Sequence, residues 1–342
     1  MISSTPFSPI HFLYIIVLAC SFLFVVIIHS PLPYCTETLL LNKSPYPKTS
    51  TMSLLPRNTA LDVNPPVGQH HLSNAGSDWL WSICALYSLG LLLTISTTYF
   101  AKSGEKIFHY LFTISFFCGA VAYFGMASDL GNVAVKPSEG DDKTRQIFWA
   151  GYIGWFLCHP PLLLALGLIS GVSWATIIYN VVLLLIWITT YLIASLTPTT
   201  YKWGFFTFGT MSLLLLSSSL LYTGTTTSRR LALPTSRTYG LLASYLSFVF
   251  LLYPIAFGLG DGGNEISVTS SFVFIGILDV LTVPVIAAWM LWEARGWDLG
   301  GLNLVFTQYG RVRVAEGKFP EKKVAAAATP EALVVGEGEN VV

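Results

Sequence analysis

Along the chain, apolar positions gather into long unbroken runs separated by polar joints. A helix needs about 20 consecutive, mostly apolar residues to cross a bilayer. Seven runs reach that length, at 79–101, 107–128, 146–168, 173–196, 203–223, 238–259 and 268–292. The joints between them are short, except 129–145 and 224–237. An eighth run, IHFLYIIVLACSFLFVVIIH at 10–29, stands apart near the start. The pattern predicts an all-α membrane protein built as a seven-transmembrane-helix bundle, and no soluble domain.

The same pattern divides the chain. Residues 1–51 form an N-terminal extension around the run 10–29, residues 52–78 a polar lead-in, residues 79–293 the seven-helix unit, and residues 294–342 a polar tail with a small alanine run and no packed core. The run 10–29 has three readings: a signal anchor, an extra N-terminal hydrophobic helix, or the product of a mis-assigned start. A secretory signal carries a basic n-region and a small-residue cleavage site. Residues 1–9 contain no base, and no such site follows residue 29. Met52 opens a natural lead-in to the first of the seven runs. If the long form is made, Asn42 in NKS is a glycosylation acceptor on the outer face.

Composition sharpens the class. The chain of 342 residues is 53 % apolar and 11 % charged, against about 25 % charged in soluble proteins. Its formal net charge is zero, which leaves no electrostatic footprint for nucleic acid. Five cysteines form no CxxC pair, and no convergent spacing of donors suggests a metal. Bases in joints and tail set orientation. Lys102, Lys106, Arg229, Arg230, Arg237, Arg295 and the tail bases share one side. Lys136, Lys143, Arg145 and Lys202 share the other with the acids Asp129, Glu139, Asp141, Asp142, Asp261 and Glu265. The basic side is expected to be cytoplasmic, which puts the N-terminus of the seven-helix unit outside and the C-terminus inside.

Of the 18 Asp and Glu residues, Asp279 alone lies deep in one of the seven runs, while His109 and His159 are the other ionisable candidates there. A charge at the bilayer centre costs about 2.5–3.5 kcal/mol on insertion scales, so such a group is either functional or a tie that joins helices by hydrogen bonds. His159 reads as a satisfied packing histidine. His159 and Cys158 adjoin but point about 100° apart on a helix, so they form no ready dyad, and no enzyme reading finds support. The tandem prolines after His159 read as a kink.

Several segments together resemble the microbial rhodopsins, most closely the fungal branch, over about 75–315. In the third run, WAGYIGWFLCHPPLLLAL places Trp155, Cys158 and Pro160 in register with the family segment. The fifth opens with YKWGFFTFG. The sixth carries FVFLLYPIAFGLG, with Tyr253, Pro254 and Phe257 at family positions. The seventh carries LDV at 278–280, the second places Tyr123 at a family tyrosine, and YGRVRV follows at 309–314. The resemblance implies a bacteriorhodopsin-like bundle in which Asp279, Tyr123 and Tyr253 form a polar cluster. Trp155, Cys158, Phe206, Phe250 and Phe257 then line a vestigial retinal pocket. Trp187 falls within one residue of a family glycine beside the chromophore ring, where an indole partly fills the space.

The departures are as informative. The position of the family's Schiff-base lysine is Val283, and no lysine occurs between Lys202 and Lys318. A Schiff base needs a primary amine, so no covalent retinal and no other cofactor are expected. The positions of the helix-three arginine and the two helix-three acids of a pump are Gly151, Gly154 and Ala165. Losing them together is coherent, because counter-ions without a protonated Schiff base would be buried charges without a partner. The glycines instead permit close helix packing.

This combination resembles the fungal opsin-related proteins that lack the lysine, some of them in the heat-shock plasma-membrane class. It implies a non-photoactive, stress-linked protein of the plasma membrane. Such a protein acts through the lipid bilayer or other membrane proteins, such as a pump or transporter. Two alternatives are an ion or proton conduit and a non-covalent binder of retinal or another apolar ligand. A homo-oligomer stays open, since no interface can be read from the residues.

Overall fold

The computed structural model describes residues 58–102, 104–137 and 143–297. The expectations for 1–51, for Asn42 and for the tail beyond 297 lie outside the described residues. Seven described helices are long and apolar enough to cross a membrane: α1 Asn74–Thr98, α2 Lys106–Ala127, α3 Trp149–Ser170, α4 Trp174–Leu196, α5 Lys202–Arg230, α6 Ser236–Gly262 and α7 Val268–Ala294.

Each of the seven apolar runs from 79 to 292 became a helix, but several ends moved. α1 begins at Asn74, not 79, so the lead-in is shorter than 52–78. Ser73 stands as N-cap and its Oγ accepts from Gly76 N at 3.2 Å, satisfying one of the free amides of a helix start. Ser173 and Ser267 cap α4 and α7 in the same way. Residues 145–147, which overlap the start of the third run, form a strand instead, and α3 starts after them at Trp149. Gly171 ends α3 in the left-handed conformation at φ 73°, a helix stop that glycine adopts without strain. α5 runs beyond the predicted 223 to Arg230 by way of a π-helical turn at Ser219–Gly224. The Tyr239 hydroxyl donates to Leu220 O at 2.9 Å there. A second π turn, Gly258–Gly262, ends α6.

Between α2 and α3, β1 Val133–Val135 pairs antiparallel with β2 Arg145–Ile147, Val133 opposite Ile147 and Val135 opposite Arg145. This hairpin marks one end of the bundle, termed the hairpin face below. All three β2 residues are buried. Gln146 accepts from Leu72 N at 2.9 Å and donates to Asp129 Oδ1 at 2.7 Å. Burial drives the Asp129 carboxyl above the usual carboxylate range, against the opposing pull of the Gln146 bond and of His71.

The core is one continuous apolar cluster drawn from all seven helices. The helices approach closely where residues are small. A Cβ on Gly154 of α3 would stand 2.6 Å from the Ala122 Cβ of α2, and one on Gly151 would stand 3.1 Å from Met126 Sδ. Outward-facing Leu, Ile, Phe and Val side chains on α1 to α6, and Trp292 on α7, stay exposed, as a lipid-facing surface requires.

Candidate functional site

Asp279 projects from α7 into the centre of the bundle and is buried there. Donors from three other helices converge on it. From α6, Tyr253 donates to Oδ1 at 2.6 Å. From α3, Trp155 Nε1 lies 2.9 Å from Oδ1 and 3.0 Å from Oδ2. From α2, the Tyr123 hydroxyl donates to Oδ2. The α1 side chain Tyr87 donates to the Asp279 backbone carbonyl at 3.1 Å, its ring occupying the space that a Cβ on Gly119 would need. Thr282, one helical turn from Asp279 and therefore on the same face of α7, lies 3.2 Å from the Tyr253 hydroxyl.

The structure thus brings Asp279, Tyr123 and Tyr253 together and adds Trp155, which the sequence placed in a pocket wall. Its indole N–H is a dedicated donor, and sequence reasoning treated the ring only as apolar surface. The carboxyl is satisfied by neutral donors, with no cationic side chain among its hydrogen-bond partners.

The neighbouring vestigial pocket is packed with rings. Trp187 lies 5.2 Å from Phe250 and 5.6 Å from Tyr253, ring centre to ring centre. Phe206 stacks on Phe257 at 5.5 Å, and Tyr191 packs on both. Val283 is fully buried. Cys158 is buried too, its carbonyl accepting from Ser115 Oγ at 2.8 Å, and so is Ala165. Two cavities flank Trp155, of about 10 and 20 Å³. A water needs roughly 10–15 Å³ by this measure, so each is about the size of one water.

His159 is fully buried and packed against Trp155, Phe250 and Tyr253, and its ring has the Trp155 backbone rather than any side chain as its polar neighbour. The helix-breaking prolines that follow occupy α3 without ending it. Among the described residues no group of three or more His, Cys, Asp or Glu side chains is arranged to hold a metal.

A second polar network lies towards the hairpin face. Arg145 on β2 is only 1 % exposed, and its guanidinium donates to Asn264 Oδ1 at 2.9 Å and Ile266 O at 2.7 Å. Its Nε lies 3.6 Å from Asp261 Oδ1, an ion pair rather than a hydrogen bond, and Tyr152 donates to Asp261 Oδ2 at 2.8 Å. Lys202 donates to Pro137 O at 2.6 Å and to Gly262 O. The sequence placed Arg145 and Lys202 among loop bases. Only tertiary folding buries them, and no local signal marks them.

The bacteriorhodopsin-like protein family matches over residues 74–293. "Protein FDD123" of Trametes versicolor is 39 % identical, with 83 % of this chain and 99 % of that protein covered. The "30 kDa heat shock protein" of Saccharomyces cerevisiae is 30 % identical, with 82 % and 92 % covered. Among solved structures, the light-driven proton pump of Coccomyxa subellipsoidea superposes with a TM-score of 0.63 at 25 % identity, over 66 % of this chain and 99 % of that one.

Proposed function

The chain belongs to the bacteriorhodopsin-like family, and we propose that it is a non-photoactive member that acts through contacts with lipid and with other membrane proteins. The observation that carries this reading is Val283, buried and aliphatic, at the position where the family's tethering amine is expected. The ring-filled interior around Trp187, Phe250 and Tyr253 supports it, because a polyene would have to displace aromatic side chains that already pack on one another. A heat-shock name among the relatives supports a link to stress. The exposed bases Arg229, Arg230 and Arg237 at the end opposite the hairpin support a cytoplasmic location for that end, with the hairpin face outside and the plasma membrane as the compartment. No cofactor is needed for this role.

A conduit draws less support, since a conducting path needs polar groups along its whole length. The segment of α7 beyond Asp279 is lined by Val283, Ile286 and Met290.

The test is addition of retinal to purified protein, followed by borohydride, with affinity capture of crosslinked membrane proteins in parallel. The expected result is no absorbance band beyond the aromatic region and a specific set of captured membrane proteins. A coloured product that borohydride fixes to the polypeptide overturns the proposal.

A further inference from the structure

The surroundings of Asp279 differ on its two sides. Towards the hairpin face lies the larger cavity, of about 20 Å³, lined by Asp279 itself and by Ser271, Tyr152, Gly151 and Asp261 among others. That volume admits about one water, and its wall supplies the polar partners a buried water needs. Ile275 and Ser271 lead from Asp279 along α7 towards that face. At the rim, the Asp261 side chain is 17 % exposed and reaches solvent. Asp261 also lines the smaller cavity on the other flank of Trp155. In the opposite direction, beyond Thr282, His159 and Ser247, the buried walls are mainly apolar. Val283, Ile286 and Met290 of α7, Leu162 and Leu166 of α3 and Leu246 of α6 are all fully buried.

We infer that Asp279 is a proton-binding site served from the hairpin face alone, a closed well rather than a passage. Hydronium arriving by water past Asp261 gives up one O–H bond as a carboxylate oxygen gains one, a neutral water is left, and the charge on Asp279 falls from −1 to zero. The other titratable or charged groups around the well are Tyr87 from α1, Tyr123 from α2, and Tyr152, Cys158 and His159 from α3. α4 contributes Tyr191, α6 contributes Tyr253 and Asp261, and β2 contributes Arg145. α5 presents Phe206 there, and Lys202 at its start donates to Gly262 O, next to Asp261 at the rim.

Three N–H and O–H donors aim at the carboxylate. A protonated carboxyl is itself a donor at one oxygen, so one of the three bonds must turn or break. The four-helix junction of α2, α3, α6 and α7 therefore reads the pH of the hairpin side.

The inference rests on Asp279 having no Schiff base beside it. A pigment fixed by borohydride removes that premise, whereas the outcomes below judge the well itself in colourless protein. The full chain is reconstituted in vesicles of known orientation, and the carboxyl C=O infrared band is followed together with tryptophan fluorescence, the Trp155 share of which is taken as the difference from Trp155→Phe because the chain has ten tryptophans. Acid or D₂O is applied to one face while the other is clamped. The expected result is a prompt response from the hairpin face and none from the opposite face. The band is lost in Asp279→Asn, and the response is several-fold slower in Asp261→Asn. If Asp279→Asn does not fold, Asp279→Glu assigns the band by moving its frequency. Equal response from both faces, a band indifferent to both Asp279 variants, or no protonated-carboxyl band at any pH at which the protein stays folded overturns the inference.

Discussion

At the scale of single residues, the interior is organised by one carboxyl and the groups that satisfy it. Removing the Tyr253 hydroxyl leaves Asp279 Oδ1 with the indole alone and Thr282 with its bond to Leu278 O alone. Interhelical hydrogen bonds in membranes are worth about 0.6–2 kcal/mol. Tyr253→Phe is therefore expected to destabilise the protein by about 1–2 kcal/mol, read as unfolding in mixed detergent micelles. A loss near zero would mean the bond contributes nothing. Val283→Lys places an amine one helical turn from Asp279. It is expected to give no pigment with retinal, because Trp187 and Phe250 still occupy the space. A visible absorbance band in the single variant would show that the ring packing yields.

At the scale of elements, close approach of α3 to α2 depends on Gly154. Overpacking a tight contact costs about 1–3 kcal/mol. Gly154→Val is expected to fall in that range by thermal unfolding, since its Cβ would meet Ala122 at 2.6 Å. Gly125→Ala on α2, with nothing within 4 Å of its Cβ, is expected to be neutral or slightly stabilising and serves as its control. The elements themselves were largely legible: a span of apolar residues long enough for a bilayer has few alternatives to a helix. Their ends were less so. The Ser73 cap and the strand at Arg145–Ile147 depend on partners far along the chain, Thr269 and Val133 among them. Tyr123, Tyr253 and Asp279 were legible as a set through the family pattern. Trp155 was missed as a donor because its ring chemistry is ambiguous in sequence, and Arg145 because its burial is wholly tertiary.

At the scale of the whole molecule, the hairpin ties the bundle across one end, and its chemistry depends on pH. The folded-state pKa of Asp129 is raised, so the native state holds its proton more tightly than the unfolded chain does. Its contribution to stability is therefore present at low pH and lost as pH rises through the folded-state value. Asp129→Asn is expected to flatten stability against pH just above the ordinary carboxylate range, while still accepting from Gln146. An unchanged profile would place that dependence elsewhere. The hairpin also spans distant parts of the chain. Gln146 accepts from Leu72 ahead of α1, Arg145 donates to Asn264 and Ile266 ahead of α7, and Ser73 N donates to Thr269 Oγ1 at 3.1 Å. The Arg145 and Ser73 links, with Lys202 on Gly262 and the Asp279 cluster inside, cross the joint between α5 and α6 at many points. The protein should consequently tolerate being cut there: two polypeptides divided at 231–234 and co-expressed carry, in folded form, enough mutual grip to reassemble without a covalent connection.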